Sequence, residues 1–377
     1  MSSMTDTPTM RVAVVMPPLI DCLPSEALDR WRTFTLTMLS LRDTGEVEVI
    51  GLGRSGQQAT EFRNGIEYRF STTWSALTQA AREWNPDVIH IHGLGWSRLI
   101  LRLARALPSV PIVVQHHGEQ PWRGRARLGH RVVRRKIRAY LFTGANDGQA
   151  QAWIDAGVIR PQAQCLDVLE AASTLPEHHG STDIGRQHPS LAAPFALSGS
   201  PSILVVGRLV ADKDPLTAVR AFERSSGRLE DAHLHLLATD RTMEPDLRRY
   251  VSARPSLSHR VHLHPPVPAT EMSGWYLAAD IYLSASRHEG SNYSLIEALG
   301  FGCAPAVSDI ASHRAIVGTL APCFAVGDID GAADVLVRAA GLARRTVIEH
   351  AERTLSWSVV ARQLIAAYRV AGAHHGP

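Results

Sequence analysis

Ser286-Arg-His-Glu-Gly-Ser-Asn-Tyr-Ser-Leu-Ile-Glu-Ala-Leu-Gly-Phe-Gly302 decides how this chain is read. Ahead of it, Ala279-Asp-Ile-Tyr-Leu-Ser-Ala285 has the length and apolar run of a short buried strand. Past Gly290, Leu295, Ile296, Leu299 and Phe301 recur at helical spacing, and Ala298 adds helix propensity. Strand, polar turn and helix in that order aim backbone N–H groups and a positive helix end above the sheet. Such a place receives a phosphate or another anion. Glu289 stands in the turn, and Glu297 lies a few helical residues in, a rise of roughly 7–10 Å at about 1.5 Å per residue. That spacing suits one carboxylate for a sugar and a second for a ribose, with a diphosphate between them. Spacing alone fits a plain capped helix equally well, since acidic residues near helix starts are common.

Outside this stretch, composition narrows the class. A length of 377 residues accommodates two domains of ordinary size, each with its own core. A net charge of +3 gives no global electrostatic argument for nucleic acid as a partner. Cys22, Cys165, Cys303 and Cys323 are far apart and form no Cys-x-x-Cys pair, so they read as buried thiols of a reducing compartment. The apolar run Val12 to Met16 is a strand's length, too short for a signal peptide, and no run reaches the roughly 20 apolar residues of a membrane span. The expected location is cytoplasmic.

Through the N-terminal half, strands alternate with helices. Val12–Met16 is a strand stopped by Pro17-Pro18, Glu26 to Leu41 a helix, and Val47–Ile50 a second strand. Gly51-Leu-Gly-Arg-Ser-Gly56 then fits G-x-G-x-x-G, the dinucleotide pattern. No helix opens at its last glycine; a polar stretch leads instead to the hairpin dipeptide Asn64-Gly65 and a strand around Tyr68, so the dinucleotide reading is rejected. Helices follow over 74–84 and 97–107, with strands Asp87-Val-Ile-His-Ile-His92 and Ile112-Val-Val-Gln115. The alternation predicts a parallel, doubly wound sheet, which binds ligands beyond the carboxyl ends of its strands. His90, His92, His116 and His117 fall at or near such ends. Zinc would need three or four converging ligands, and no Cys or acidic partner has zinc spacing. Structural histidine is the default reading, and His90 is taken that way.

Pro121 to Leu141 carries Arg127, Arg131, Arg134, Arg135 and Arg138 on one helical stripe and Val133, Ile137 and Leu141 on another. The stretch 123–141 is expected to be a basic amphipathic helix. It serves either as a solvated face or as a contact for an anionic membrane or acceptor, peripheral on the inner membrane face in the former of those two contacts. A strand from Tyr140 to Thr143, a helix from Asp147 to Ala156 and a strand from Gln164 to Leu169 complete this half. Residues 176–201, rich in Ser, Gly, His and Pro, read as a linker.

The C-terminal half opens with the strand Ser202-Ile-Leu-Val-Val-Gly207, after which Arg208 and Lys213 supply two cations on a βα loop. Arginine offers phosphate a planar fork and lysine a point charge. Strands at 233–238, 261–264 and 304–308 alternate with helices at 216–224 and 245–254, and two more helices start near Asp330 and Thr346.

Glu289-Gly-x6-Glu297, flanked by Ala285-Ser286 and by Glu297-Ala-Leu-Gly-Phe-Gly302, resembles the signature of the GT-B retaining glycosyltransferases of family 4, glycosyltransferase group 1. The resemblance is strong over about 202–371 and looser before it. It implies an α/β protein of two Rossmann-like domains facing across a cleft: residues 1–175 as the acceptor domain, 202–355 as the nucleotide-sugar domain, and a last helix in 356–377 crossing back to the first. In that family the first Glu, here Glu289 with Gly290 beside it, holds the donor sugar, and the second, here Glu297, holds the ribose. Gly207-Arg208-Leu and Lys213 resemble the family's clamp on the donor diphosphate, which the helix start at Ser291, Asn292 and Tyr293 completes. His117, followed by Gly118, matches the family's sugar-facing histidine, with His116 second and His92-Gly93 a weaker match.

Three departures stand out. Asn292 replaces a usual Gly, an exchange the turn tolerates because Asn is most at home after Gly at positive φ. Pro265 replaces a Gly in the base-contacting loop, and Pro17-Pro18-Leu-Ile-Asp21 replaces paired glycines that face the acceptor. The expected activity is therefore metal-independent, retaining transfer of a sugar from a UDP- or GDP-sugar, UDP favoured, to the hydroxyl of an acceptor that is a glycan, a lipid-linked sugar or a small molecule. No cofactor is expected. Two other readings share the architecture, a non-catalytic sugar-nucleotide-binding module and a sugar-nucleotide epimerase.

Overall fold

The structure, a computed structural model, describes residues 9–172 and 193–373. Most of the expected linker therefore lies outside the described residues. The chain divides into two compact units, after Leu169 and again at Trp357, so the final helix groups with the N-terminal unit.

The first unit runs β1 (Met10–Val15), α1 (Pro24–Arg30), α2 (Arg32–Asp43), β2 (Val47–Arg54), β3 (Ala59–Arg63), β4 (Ile66–Ser71), α3 (Trp74–Trp84), β5 (Val88–His92), α4 (Ser97–Ala106), β6 (Ile112–Gln115), α5 (Gly124–Val133), β7 (Ile137–Phe142), α6 (Ala150–Asp155) and β8 (Gln164–Asp167). The sheet order is β3-β4-β2-β1-β5-β6-β7-β8. Its pairings are parallel except β3 with β4, the hairpin that Asn64 (φ 51°) and Gly65 (φ 74°) turn. Central strands such as Val12-Ala-Val-Val15 are apolar throughout because helices cover both faces. Each fully buried Val, Leu or Ile contributes on the order of 1.5–3 kcal/mol.

Gly51 and Gly53 lie inside β2, where a Cβ would meet the Tyr68 ring at 2.3 Å and the Phe70 ring at 2.7 Å. The missing side chains at these glycines leave room for two aromatic rings of β4. The rejection of a dinucleotide loop there holds.

The basic segment differs from expectation. Its helix, α5, ends at Val133; Lys136 N–H bonds back to Val133 O at 2.7 Å, and Ile137–Phe142 becomes β7. Ile137, Tyr140 and Leu141 are buried in the sheet, where strand pairing with β6 and β8 secures more apolar burial than further helix would. The stripe of Val133, Ile137 and Leu141 is thus not a helix face. Arg127 and Arg131 lie on the helix, Arg134 and Arg135 in the turn after it, and Arg138 on the strand.

The second unit runs β9 (Ser202–Val206), α7 (Pro215–Ser225), β10 (His233–Leu237), α8 (Glu244–Ser252), α9 (Pro255–Ser258), β11 (Val261–His264), α10 (Met272–Ala278), β12 (Ile281–Ser284), α11 (Tyr293–Gly300), β13 (Ala304–Val307), α12 (Ala311–Val317), α13 (Ile329–Ala339) and α14 (Arg344–Leu355). Its sheet, β11-β10-β9-β12-β13, is parallel throughout. The last helix, α15 (Trp357–Gly372), returns to the first unit, where Gln363 accepts the Leu169 N–H at 2.9 Å and Tyr368 meets His90.

Candidate functional site

In the second unit, the ends of β9 and β12 carry the groups singled out by sequence. β9 passes into Gly207, whose φ of 153° leaves open space where a side chain would stand. Arg208 follows, exposed at the strand end. A short turn at Ala211–Lys213 then leads to Asp214, held at φ 44°, whose carboxylate caps α7 by accepting the Thr217 N–H. Three ties fasten this loop to the turn after β12. Lys213 Nζ forms an ion pair with Glu289 Oε1, Arg287 donates to Asp214 Oδ2 at 2.6 Å, and Arg287 N–H bonds Asp212 O at 2.8 Å. Sequence reasoning paired Lys213 with phosphate and missed the tie from Asp214 to Arg287, although the cap itself is written in Asp214-Pro215.

Glu289 is fixed further by Ser286 Oγ, which donates to its Oε1 at 2.7 Å, and Ser312 Oγ, which donates to its backbone carbonyl at 3.3 Å. Asn292 takes φ 48°, ψ 69°, as the exchange for Gly requires, and also caps α11: Oδ1 accepts the Leu295 N–H at 3.3 Å. A glycine could supply the turn but not this cap. Tyr293 opens α11; burial of its hydroxyl and the adjoining Glu170 carboxylate raise its pKa well above the ordinary value. Ser291 is buried at the turn, one residue before the cap, and Gly290 is buried beside it. Glu297 is half-buried on α11 and accepts a hydrogen bond from Tyr276 Oη at 2.8 Å. Tyr276, fully buried on α10, was not singled out by sequence; its phenol is raised well above its usual pKa by burial and by the Glu297 charge. A deeply buried ring with its hydroxyl spent on a half-buried carboxylate is a positioning arrangement.

The first unit gathers its histidines at the ends of β5 and β6. His92 Nδ1 lies 2.8 Å from His117 Nε2, the rings stacked with centroids 5.0 Å apart, and the Phe34 ring sets its edge against both. Burial, then the neighbouring His90 and His117, lowers the His92 pKa well below its ordinary value. His90 bonds Tyr368 Oη at 2.8 Å and is a structural residue. His116 is 1% exposed, lies on Phe142 and Trp153, and shares a hydrogen bond with Glu119 O; it too packs the core. Glu119 was overlooked. Its Oε2 accepts the His117 N–H at 2.9 Å and its Oε1 the Leu94 N–H at 2.9 Å, so one carboxylate joins the loops after β5 and β6. Burial pushes its pKa up, but these N–H groups and His116 outweigh that and leave it lowered. Among the described residues, no group of three or more His, Cys, Asp or Glu is placed to hold a metal ion.

Two Rossmann-like units built on largely parallel sheets, one with a strand–turn–helix flanked by a Lys–Glu pair, have the architecture of the GT-B class of α/β protein. Residues 200–341 match the family described as glycosyl transferases group 1, and residues 23–161 match the glycosyl transferase 4-like domain. The chain belongs to the group 1 glycosyltransferases.

Among curated proteins, it is similar to the GDP-mannose:cellobiosyl-diphosphopolyprenol alpha-mannosyltransferase of Xanthomonas campestris, 25% identical over 241 residues, 59% of this chain and 56% of that protein. The protein of the same description from Xanthomonas oryzae pv. oryzae is 25% identical over 243 residues, with the same coverage. The chain thus spans little more than half the length of the curated relatives it matches. Among solved structures, the E. coli trehalose-6-phosphate structure bound with UDP-2-fluoro glucose superposes with a TM-score of 0.67 at 12% identity, covering 96% of this chain and 99% of that one. A lipopolysaccharide outer core galactosyltransferase in apo form gives 0.62 at 16%, covering 95% and 99%. At such identities these likenesses speak for the fold.

Proposed function

We propose that this protein transfers a sugar from a nucleoside diphosphate sugar to an acceptor hydroxyl, without a metal clamp and with retention at the anomeric carbon. The observation that carries the reading is Lys213 held on Glu289 beside the start of α11, inside the segment that matches the group 1 family. In the proposed reaction the bond from the anomeric carbon to the diphosphate oxygen breaks, and the acceptor oxygen bonds to that carbon on the same face. The acceptor proton passes to the departing phosphate. Arg208, Lys213 and the start of α11 at Ser291 to Tyr293 take up the leaving charge, a kind of fixed electrostatics worth about 2.7–4 kcal/mol per donor. Glu289 and Gly290 hold the sugar, Glu297 the ribose, and His117 steadies the sugar. Retention and metal independence are supported by the resemblance of Glu289-Gly-x6-Glu297 and Arg208…Lys213 to the family's pattern.

The donor is a GDP- or UDP-sugar. The Xanthomonas relatives are named for GDP-mannose, which puts that donor beside the UDP-sugars favoured from sequence. The same relatives are named for a diphosphopolyprenol acceptor, which supports a lipid-linked sugar here. α5 supports a peripheral membrane contact: Leu128 and Val132, one turn apart, are each 64% exposed and stand among exposed Arg125, Arg131 and Arg135. Among the described residues, no helix is long and apolar enough to cross a membrane.

The test incubates the protein with GDP-mannose or UDP-glucose, with and without EDTA, alone and with polyprenyl-diphosphate sugars. Nucleoside diphosphate release coupled to a new α-glycoside, unaffected by EDTA, is the expected result. Isomerised donor would mark an epimerase, and binding with no turnover a module; either outcome refutes the transferase reading.

A further inference from the structure

Asn292 differs from a plain glycine turn in having a side chain, and that side chain is fully engaged. His313, the third residue of α12 and 0% exposed, places Nε2 2.8 Å from Asn292 Nδ2 and Nδ1 2.9 Å from the carbonyl of Ser308. A carbonyl only accepts, so Nδ1 carries the proton and Nε2 is left as the acceptor for the amide. The amide is thereby oriented: its nitrogen faces His313 and its oxygen faces Leu295 N–H and Tyr282 Oη, each at 3.3 Å. Turning the amide over would set its NH2 against the Leu295 N–H, donor to donor. Ser308 Oγ in turn donates to Ser286 O at 2.5 Å, and Ser286 holds Glu289. One buried imidazole thus joins both ends of the turn, the cap of α11 and the serine that orients Glu289.

We propose that His313 is the positioning residue of the donor-binding turn, holding Asn292 and, through Ser308 and Ser286, Glu289 in the arrangement that receives the nucleoside diphosphate. The proposal rests on the functional reading above and names a residue outside it. His313 touches no substrate. It acts by keeping Asn292 capped on α11, a role that a glycine turn does not need. The device works only with a neutral imidazole, because a second N–H on the ring would face the amide NH2. Burial is the main reason that the pKa of His313 is lowered, to about 4, against the opposing pull of its Ser308 hydrogen bond and the Glu289 charge.

The test measures UDP and GDP affinity by calorimetry for the parent, His313→Ala, His313→Gln and the double variant Asn292→Gly/His313→Ala. In His313→Ala the Asn292 amide is left buried and unmatched, and affinity is expected to fall about tenfold. Gln at 313 can accept from Asn292 and donate to Ser308 O, so His313→Gln regains part of the loss. Asn292→Gly removes the stranded amide while keeping positive φ, so the double variant binds better than His313→Ala alone. A His313→Ala protein that is folded by circular dichroism and binds like the parent overturns the proposal, as does a double variant no better than the single. A parent that binds neither nucleotide overturns the functional reading and this proposal together, and is told apart because the parent itself is then silent.

Discussion

Lys213 and Glu289, 76 residues apart in sequence, form an ion pair whose members are 24% and 10% exposed. Sequence assigned the first to the diphosphate and the second to the sugar. The pair makes those roles interdependent. If Lys213 takes the diphosphate as proposed, Glu289 occupies that cation beforehand, and binding exchanges one anion for another at Lys213.

The exchange has a sign. Glu289→Gln removes the competing charge, so nucleoside diphosphate should bind as tightly as to the parent or several-fold tighter. Transfer should still fall, on the order of 10²–10³-fold, with the loss of a group acting on the sugar. Lys213→Ala should weaken the nucleotide by tenfold or more, about the loss expected for one charge-assisted hydrogen bond. Calorimetry on both variants decides. If Glu289→Gln weakens the nucleotide as much as Lys213→Ala does, Glu289 does not compete for the cation and the assignment fails.

Tyr276→Phe isolates the other carboxylate. It deletes one oxygen, leaving Glu297 half-buried without the donor at Oε2. Affinity for free nucleotide should drop about three- to tenfold, while the rate at saturating donor holds, since a ribose contact is made equally in ground and transition states. A fall in kcat at unchanged KM would remove Glu297 from the ribose.

Much of this is legible in the sequence. The strand–turn–helix around Glu289, the hairpin at Asn64-Gly65 and the alternation of strands with helices are written in local patterns, and local patterns are what a sequence displays. Asn292 at positive φ was legible for the same reason. Tyr276, Asp214, Glu119 and His313 were not: each matters through a partner at least 20 residues away, as with Tyr276 and Glu297 at 21 or Asp214 and Arg287 at 73. Arg131 to Leu141 misled because its apolar spacing fits both a helix stripe and a buried strand, and pairing with β6, decided elsewhere in the chain, settled it.

Acid should destabilise the fold well before its carboxylates titrate. His130 and His313 are both fully buried with pKa values lowered from 6.5 to about 4, chiefly by burial. Between those values the unfolded chain binds a proton that the folded one refuses, so stability falls as pH drops from 6.5 toward 4, at about 1.4 kcal/mol per pH unit for each histidine. Glu119 adds a loss at lower pH, because its folded pKa is below the ordinary 4.5 and its contribution vanishes as pH falls through that folded value. Urea midpoints measured at half-unit steps should show the first decline, and His313→Gln should lessen its slope by one histidine's share while His130, His92 and His235 keep the rest. A midpoint independent of pH across that window would show that these imidazoles are protonated in the fold.

The last prediction concerns α5. A membrane contact there has two parts that respond differently to salt. Arg131 and Arg135 are exposed, whereas Arg134 is half-buried and donates to Gly157 O at 3.1 Å, so replacing the former two leaves that hydrogen bond in place. Their attraction to anionic vesicles should fade as the screening length shortens to about 8–10 Å at physiological ionic strength. Leu128 and Val132 act by burial in the headgroup boundary, which salt does not screen. Sedimentation with vesicles rich in anionic lipid should therefore pellet the parent strongly at low salt and weakly but measurably at physiological salt. Arg131→Ser and Arg135→Ser combined should abolish the low-salt excess, and Leu128→Ser with Val132→Ser should abolish the remainder. Neutral vesicles should pellet little of any form. If the parent stays in the supernatant with anionic vesicles at low salt, α5 is a solvated face and the proposed membrane contact fails.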